Sequence, residues 1–518
     1  MGTTAVAEEG AVTGAQETGA SRVPAYLPPL VAAVIAAALS IPRLGSRTMW
    51  LDEVYTVGAT TELLDTWRAT GGTQALYYLL VWPVTQISTD PAVLRVPSAL
   101  CALAAVGVVH EVGRRIGGAR VGALAAGGMA LSWALARYSI ETRSYTLALL
   151  LVSLSWLALV TLVTRGDPTE RGGWWRLFVV ATLLAPLAHG LSVLHLAVQI
   201  AALLVAPDGR RWLRRMVPVV VALGVEMVAL AALGAGDVGD WVAPLSFGQI
   251  VGLGQLMLGF GVSGMLLTAL TAAAGVDALR RFRGERTVEA WARLVPVFWA
   301  FGPIILLVTI SLVRPYAAPR YVFSALPGFF LLMAVLVARL RSVRVLAAAA
   351  LLIAVLLVGD QGRATSMDLE NWEGMTACIA ANAVDGDRVL VTAVHRPPID
   401  YYWPRVTDDD TPQVSSISPD PLGEVKRIYE PWNDPREILL TDSGSGSVWY
   451  AERSHTGRVV MAGVALSDEI QERYEMTPAW YFEGGLTLVR LDPRDGTQTS
   501  RPSVPCDTVP GPNPDVPS

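Results

Sequence analysis

The stretch 145–164 reads YTLALLLVSLSWLALVTLVT, a run without a charge, and Arg165, Arg171 and Arg176 follow it around the start of the next apolar run. About 20 such residues, as a helix, match the hydrocarbon core of a bilayer. A soluble helix would alternate apolar and polar faces instead. Working outward, similar runs occupy about 93–112 and 176–191, and further ones continue to Val358. The chain therefore reads as an α-helical polytopic membrane protein, with about 11 crossings at roughly 20 residues each.

Composition agrees. The 518 residues are 52% hydrophobic and 16% charged, against about 45–50% and about 25% for a soluble domain. Mean hydropathy is +0.43. The apolar excess ends near Val358, and Asp, Glu, Pro and polar residues dominate from Asp360 onward, which sets a boundary there. Nearly every cation is Arg, Lys426 being the exception, and the formal net charge is −5. That balance offers nothing to a nucleic acid. The Arg-for-Lys bias fits a GC-rich genome rather than a mechanism.

Short basic loops stay on the cytoplasmic side. Arg114, Arg115 and Arg120; Arg165, Arg171 and Arg176; Arg210, Arg211, Arg214 and Arg215; Arg280, Arg281, Arg283 and Arg286; and Arg339, Arg341 and Arg344 mark every alternate loop. Loops at about 42–92, 137–144, 235–248 and 314–320 are then outside. Residues 1–22 lack the basic stretch of a cleaved signal and are expected to form a disordered cytoplasmic tail, with 23–41 as a signal anchor. The expected organisation is a membrane domain over 23–359 with a long first outer loop at 42–92, an extracytoplasmic α/β domain over 360–494, and a disordered tail over 495–518. Within the α/β domain, 388–394, 447–450 and 486–491 read as strands and 468–474 as a helix. Cys378 and Cys506, both outside, are expected to pair.

Three outer segments could carry chemistry. Asp52 and Glu53 stand in the run Met49-Trp50-Leu51-Asp52-Glu53-Val54-Tyr55. Carboxylates beside a bilayer must be hydrated, paired or bound to a cation, though they equally suit the first turn of a helix. Arg137 to Tyr145 places Arg143 and Glu141 at the edge of a span, where Arg and Tyr also anchor helices in the interface. Arg314 and Arg320, each beside a Tyr, offer guanidinium forks suited to phosphate. His189 and His195 are six residues apart, on different helix faces, which excludes a His–His metal pair. A glycine-rich phosphate loop, a Zn-type Cys cluster and a nucleophile elbow are absent, as is any internal repeat. An enzyme working outside the membrane without a nucleotide site needs an activated donor that is already in the membrane, which points to lipid phosphates.

In order and spacing, Leu51-Asp52-Glu53-Val54-Tyr55, Ala75-Leu76-Tyr77-Tyr78-Leu79-Leu80, Leu94-Arg95-Val96-Pro97-Ser98-Ala99-Leu100, Gly113-Arg114-Arg115-Ile116-Gly117 and Ile140-Glu141-Thr142-Arg143-Ser144-Tyr145 resemble the N-terminal half of GT-C glycosyltransferases. The likeness is particularly to the protein O-mannosyltransferase and aminoarabinose transferase group. Ala188-His189-Gly190 and Pro319-Arg320-Tyr321 extend it over roughly residues 25–400. Gly72-Thr73-Gln74-Ala75 departs from the His-Pro-Pro of many relatives, a difference expected to bear on the acceptor.

The resemblance implies inverting transfer of a sugar, mannose or arabinose, from a polyprenyl-phosphate donor to a hydroxyl on a cell-wall glycan, glycolipid or protein at the outer face of the membrane. It implies Asp52 and Glu53 as catalytic carboxylates and Arg143, Arg314, Arg320, Tyr321 and His189 around the donor phosphate. Tyr55, Tyr77, Glu141 and Tyr145 fall to the substrate. A divalent cation is left open, since an Asp-Glu pair can act as base or hold a metal. Two other classes stand beside this reading: a flippase for lipid-linked sugars, which would show repeat symmetry and broken midplane helices, and a non-catalytic envelope protein acting through its outer domain.

Overall fold

The computed structural model describes residues 24, 26–61, 63–69, 72–164, 171–233, 242, 244–366, 370–391, 395–409, 411–418, 435–453, 468–494, 504–506 and 508. The expected tail 1–22, most of 495–518, Arg165, residues 235–241 of the third outer loop and 392–394 of the first expected strand lie outside these.

Among the described residues, seven helices are long and apolar enough to cross a membrane: Pro91–Gly117, Tyr145–Thr164, Gly209–Ala232, Gly261–Glu285, Val288–Ser311, Pro319–Val337 and Val343–Thr365. A pair bent by 61°, Ala119–Ala130 with Trp133–Ser139, makes eight if it counts as one span. Eleven crossings require three of the five shorter apolar helices as well; these are Leu27–Arg43, Ala75–Thr85, Gly172–Ala188, Gly190–Leu204 and Phe247–Leu258. The chain is a multi-pass membrane protein. The apolar stretch near 246–273 is split: Phe247–Leu258 ends at Gly259, whose φ of 93° breaks the helix before Gly261–Glu285.

Tyr145–Thr164 is the centre of the bundle, packed between Val96–Gly117 and Arg171–Ala188. Within a bilayer, helices gain from backbones that approach closely. A Cβ on Gly113 would lie 2.8 Å from the Gly122 Cα, and one on Gly328 would lie 2.4 Å from the Ala300 backbone nitrogen, so both crossings require glycine.

Among the described residues the sheet at the C-terminal end has six strands: β1 (Arg388–Val391), β2 (Ser415–Ser416), β3 (Val448–Arg453), β4 (Tyr474–Met476), β5 (Trp480–Phe482) and β6 (Leu486–Pro493). The order is β2-β1-β3-β6-β4, with β5 also on β6. β1 is parallel to β2 and β3, and β6 is antiparallel to β3, β4 and β5. Alternate residues divide between two faces, as the strand period dictates. Leu390, Val448, Tyr450, Val489 and Leu491 pack with Leu439, Ile470 and Tyr474. Val389, Val391, Trp449, Ala451 and Leu488 face Trp372, Met375 and Ile379, in a core continuous with that of the membrane helices. Asp468–Arg473 is helical. Cys378 and Cys506 are disulfide-bonded with Cα atoms 5.4 Å apart, as the sequence suggested, which ties the C-terminal segment to the helix Trp372–Asn382.

Candidate active site

The segment 42–92, expected as the first outer loop, is largely helical: Leu51–Ala59, Leu63–Ala69 and Ala75–Thr85 all lie within it. Asp52 and Glu53 occupy the first turn of Leu51–Ala59. Successive helical side chains diverge by about 100°, and here that angle separates two environments.

Glu53 points inward and is fully buried. Its Oε1 and Oε2 accept hydrogen bonds from Arg95 Nε and Nη2, each at 2.9 Å, and Oε1 also accepts the Thr142 N–H at 2.7 Å. Arg95, equally buried, further donates to the backbone oxygens of Leu44, Arg47 and Thr48 at 2.6, 3.0 and 3.1 Å. Glu141 is buried beside them, 3.0 Å from Arg47 Nη2 and 2.6 Å from Arg137 Nη1. Arg95, Glu53, Arg47, Glu141 and Arg137 form one ionic cluster, which fastens the first loop to the 137–144 segment.

Asp52 points the other way, its side chain 25% exposed. Its Oδ2 lies 3.4 Å from Arg143 Nη2 and 3.8 Å from Arg320 Nη2. Arg143 Nη1 donates to the Asp52 carbonyl at 3.0 Å and to Thr56 Oγ1 at 3.1 Å. Burial works against the Arg143 charge, and Asp52, Tyr145 and Tyr78 beside it more than offset that, so its pKa is raised and it stays cationic. Tyr77 is buried; its hydroxyl is 2.6 Å from Ser98 Oγ, which donates to the Arg143 carbonyl at 3.1 Å. Since that carbonyl can only accept, Ser98 spends its proton there and Tyr77 donates. Tyr77 thus holds the Arg143 backbone.

Arg320 comes from a 3₁₀ turn, Pro319–Ala325, begun by Pro319 and interrupted by the non-helical backbone of Val322. The turn is pinned from within the bundle. Trp299 Nε1 donates to the Ser324 carbonyl at 2.9 Å, Trp156 Nε1 donates to His195 Nδ1 at 3.4 Å, and His195 Nε2 is 2.8 Å from Ser324 Oγ. With Nδ1 accepting, the hydrogen-bond network assigns the His195 proton to Nε2. His195 therefore supports the turn rather than lining the open site.

The Arg320 guanidinium lies 5.5 Å from the Trp50 ring and 5.9 Å from the Tyr321 ring. Tyr321, His189 and Tyr145 form a row, with centroids 5.3 and 5.7 Å apart. The structure brings together Asp52, Arg143, Arg320, Tyr145, His189 and Tyr321. Tyr55 is half-buried one turn after Asp52. Arg314 is exposed, its guanidinium 5.5 Å from the Tyr316 ring.

Among the described residues, no three His, Cys, Asp or Glu side chains group as metal ligands. Asp52 faces two guanidinium groups, and its neighbouring carboxylate is turned inward, so this donor set does not fit a divalent cation.

Three residues that the sequence did not single out shape the site: Arg95, Trp50 and Glu370. Glu370 Oε2 accepts the Leu51 N–H at 3.0 Å and the Trp372 indole N–H at 2.7 Å. Burial raises the pKa of Glu370, while Arg453 and these two donors oppose the shift. Arg95 carried one local signal, a charge between Leu94 and Val96 at the start of an apolar helix. Trp50 and Glu370 carried none.

Residues 75–233 match the family model described as dolichyl-phosphate-mannose-protein mannosyltransferase. No curated protein matches by sequence. The structure is similar to ArnT from Cupriavidus metallidurans bound to undecaprenyl phosphate, with a TM-score of 0.57 and 14% identity over 90% of this chain and 97% of that one. It is also similar to the oligosaccharyltransferase of Archaeoglobus fulgidus tethered to an acceptor peptide, with a TM-score of 0.55 and 12% identity over 89% of this chain and 73% of that one. The chain thus has the GT-C fold of membrane glycosyltransferases, with a sheet domain at its C-terminal end.

Proposed function

We propose that the protein is an inverting glycosyltransferase that moves a sugar, mannose or arabinose, from a polyprenyl-phosphate donor to an acceptor hydroxyl at the outer face of the plasma membrane. The observation that carries the reading is a partly exposed carboxylate, Asp52, set against the guanidinium groups of Arg143 and Arg320 in a GT-C fold. The acceptor oxygen attacks the anomeric carbon from the side opposite the phosphate and loses its proton to Asp52 as the new bond forms. The bond from the anomeric carbon to the phosphate oxygen breaks, and polyprenyl phosphate departs with one more negative charge. Arg143 and Arg320 meet that charge where it develops. Glu53, consumed by Arg95 and Thr142, takes no proton in this scheme. Purified protein incubated with a panel of polyprenyl-phosphate sugars should transfer one of them to a hydroxyl acceptor, and transfer of none would end the proposal.

Arg320 has the donor phosphate as its share. A guanidinium grips phosphate with two parallel charge-assisted bonds, whereas an ammonium offers only a point charge. Arg320→Ala should weaken donor binding by about 10- to 100-fold, the cost of a hydrogen bond to a charged group. Arg320→Lys should fall between Ala and the wild type. Unchanged donor affinity in a folded Arg320→Ala protein, measured by titration with the polyprenyl-phosphate sugar, would remove Arg320 from the phosphate site.

The orientation rests on the alternating Arg loops. A reporter fused after Asp360 should be active outside the cell and one fused after Arg215 inside. The opposite pattern at both points would put Asp52 on the cytoplasmic face.

A further inference from the structure

The C-terminal region reaches back to three of the four residues that precede Asp52, and it does so from two separate places, Glu370 and the helix Arg396–Val406. Glu370, 1% exposed, accepts the Leu51 N–H through Oε2, while Arg453 of β3 ion-pairs with its Oε1 at 2.7 Å. The Glu370 carbonyl accepts the Thr48 hydroxyl at 3.0 Å. From the helix Arg396–Val406, the Tyr402 hydroxyl accepts the Met49 N–H at 2.6 Å and lies 3.3 Å from the Met49 oxygen. Thr48, Met49 and Leu51 are thus each held by the C-terminal region.

The first N–H groups of a helix have no partner inside it. A Ser, Thr, Asp or Asn at the preceding position usually serves them. Here that position is Trp50, which provides no side-chain acceptor. The missing acceptor comes instead from Glu370, 319 residues away. The turn so capped carries both Asp52, against Arg143 and Arg320, and Trp50, whose ring the Arg320 guanidinium faces. A shift of this turn therefore moves Asp52 relative to both guanidinium groups. Among the described residues Asp52 makes no hydrogen bond to Glu370, and the two carboxylates meet only through the repulsion of their charges.

We propose that Glu370 is a positioning residue for Asp52: gripped by Arg453 and Trp372, it sets the first turn of the Asp52 helix, so that the C-terminal domain governs turnover without touching the sugar. The kinetic part of this inference rests on the transferase reading above, while the structural part stands without it.

The test uses the full chain in nanodiscs and two readouts. Hydrogen–deuterium exchange reports the Leu51–Thr56 amides and needs no substrate. Glu370→Ala should speed their exchange about tenfold or more, the scale of a lost hydrogen bond to a charged acceptor. Turnover is then compared in two backgrounds. Glu370→Ala should lower kcat about tenfold or more while leaving donor Kd within about twofold, and should add little to the loss in an Asp52→Asn protein, because residues acting through one another are not additive. Glu370→Gln, whose amide oxygen still accepts the Leu51 N–H, should recover most of the turnover. Arg453→Ala, on a side chain 19% exposed, unseats Glu370 without emptying the core and should act in the same direction if Glu370→Ala fails to fold. Unchanged exchange at Leu51–Thr56 overturns the proposal, as does an equal fractional loss of kcat in both backgrounds. A wild-type protein that transfers no sugar sinks the transferase reading alone, and the exchange measurement still decides whether Glu370 holds the turn.

Discussion

Asp52→Asn protein is expected to bind the polyprenyl-phosphate sugar like the wild type and to transfer it about 10²–10⁴-fold more slowly, the usual worth of a general base. The substitution keeps the size of the side chain and its place at the open end of Leu51–Ala59. It removes the group that takes the acceptor proton. A second role is visible in the geometry, because Oδ2 lies 3.4 and 3.8 Å from two guanidinium groups and so helps to orient them. The two roles separate in the measurement. Loss of a base lowers kcat at constant donor affinity, whereas loss of an orienting anion weakens donor binding through Arg143 and Arg320. If Asp52→Asn binds donor normally and transfers sugar at the wild-type rate, Asp52 is not the base. If binding and turnover fall together, the carboxylate serves the arginines.

Arg95→Ala should cost about 3–5 kcal/mol of stability, the range for removing one member of a buried ion pair. The guanidinium meets both oxygens of Glu53 and three backbone carbonyls, with no exposure to solvent. Its deletion leaves Glu53 with the Thr142 N–H and with Arg47 at 3.8 Å, and it opens the turn that leads into the Asp52 helix. Detergent-solubilised protein should unfold at a clearly lower temperature. Arg143→Ala removes a buried guanidinium that faces the partly exposed Asp52 at 3.4 Å and should impair turnover. Equal thermal stability of Arg95→Ala and the wild type would show that the cluster does not hold the loop.

Those two expectations divide a pair of adjacent carboxylates that looked alike in the sequence. The helical phase of Leu51–Ala59 told that Asp52 and Glu53 point apart. It did not tell which one faces inward. That was settled by Arg95 and Thr142, supplied by segments 42 and 89 residues further along the chain. Glu141 resembled an outer-loop substrate ligand in the same way and lies instead between Arg47 and Arg137.

The sequence by itself determined the membrane class, because the preference of an apolar segment for lipid is a sum over its own residues and needs no partner. For the same reason Tyr145–Thr164 was legible almost to the residue. The strands Arg388–Val391, Val448–Arg453 and Leu486–Pro493 and the helix Asp468–Arg473 were legible from local pattern in place though not in length, expected at 388–394, 447–450, 486–491 and 468–474, and the pairing of Cys378 with Cys506 was legible from chemistry. Only the tertiary structure decided how the apolar stretch near 259 is broken, how Arg143 and Arg320 converge on Asp52, and that Glu370 caps the Asp52 helix. Each of these depends on the distance between side chains remote in sequence, and an ionic or hydrogen-bonded contact leaves no periodic trace in the chain on either side of it.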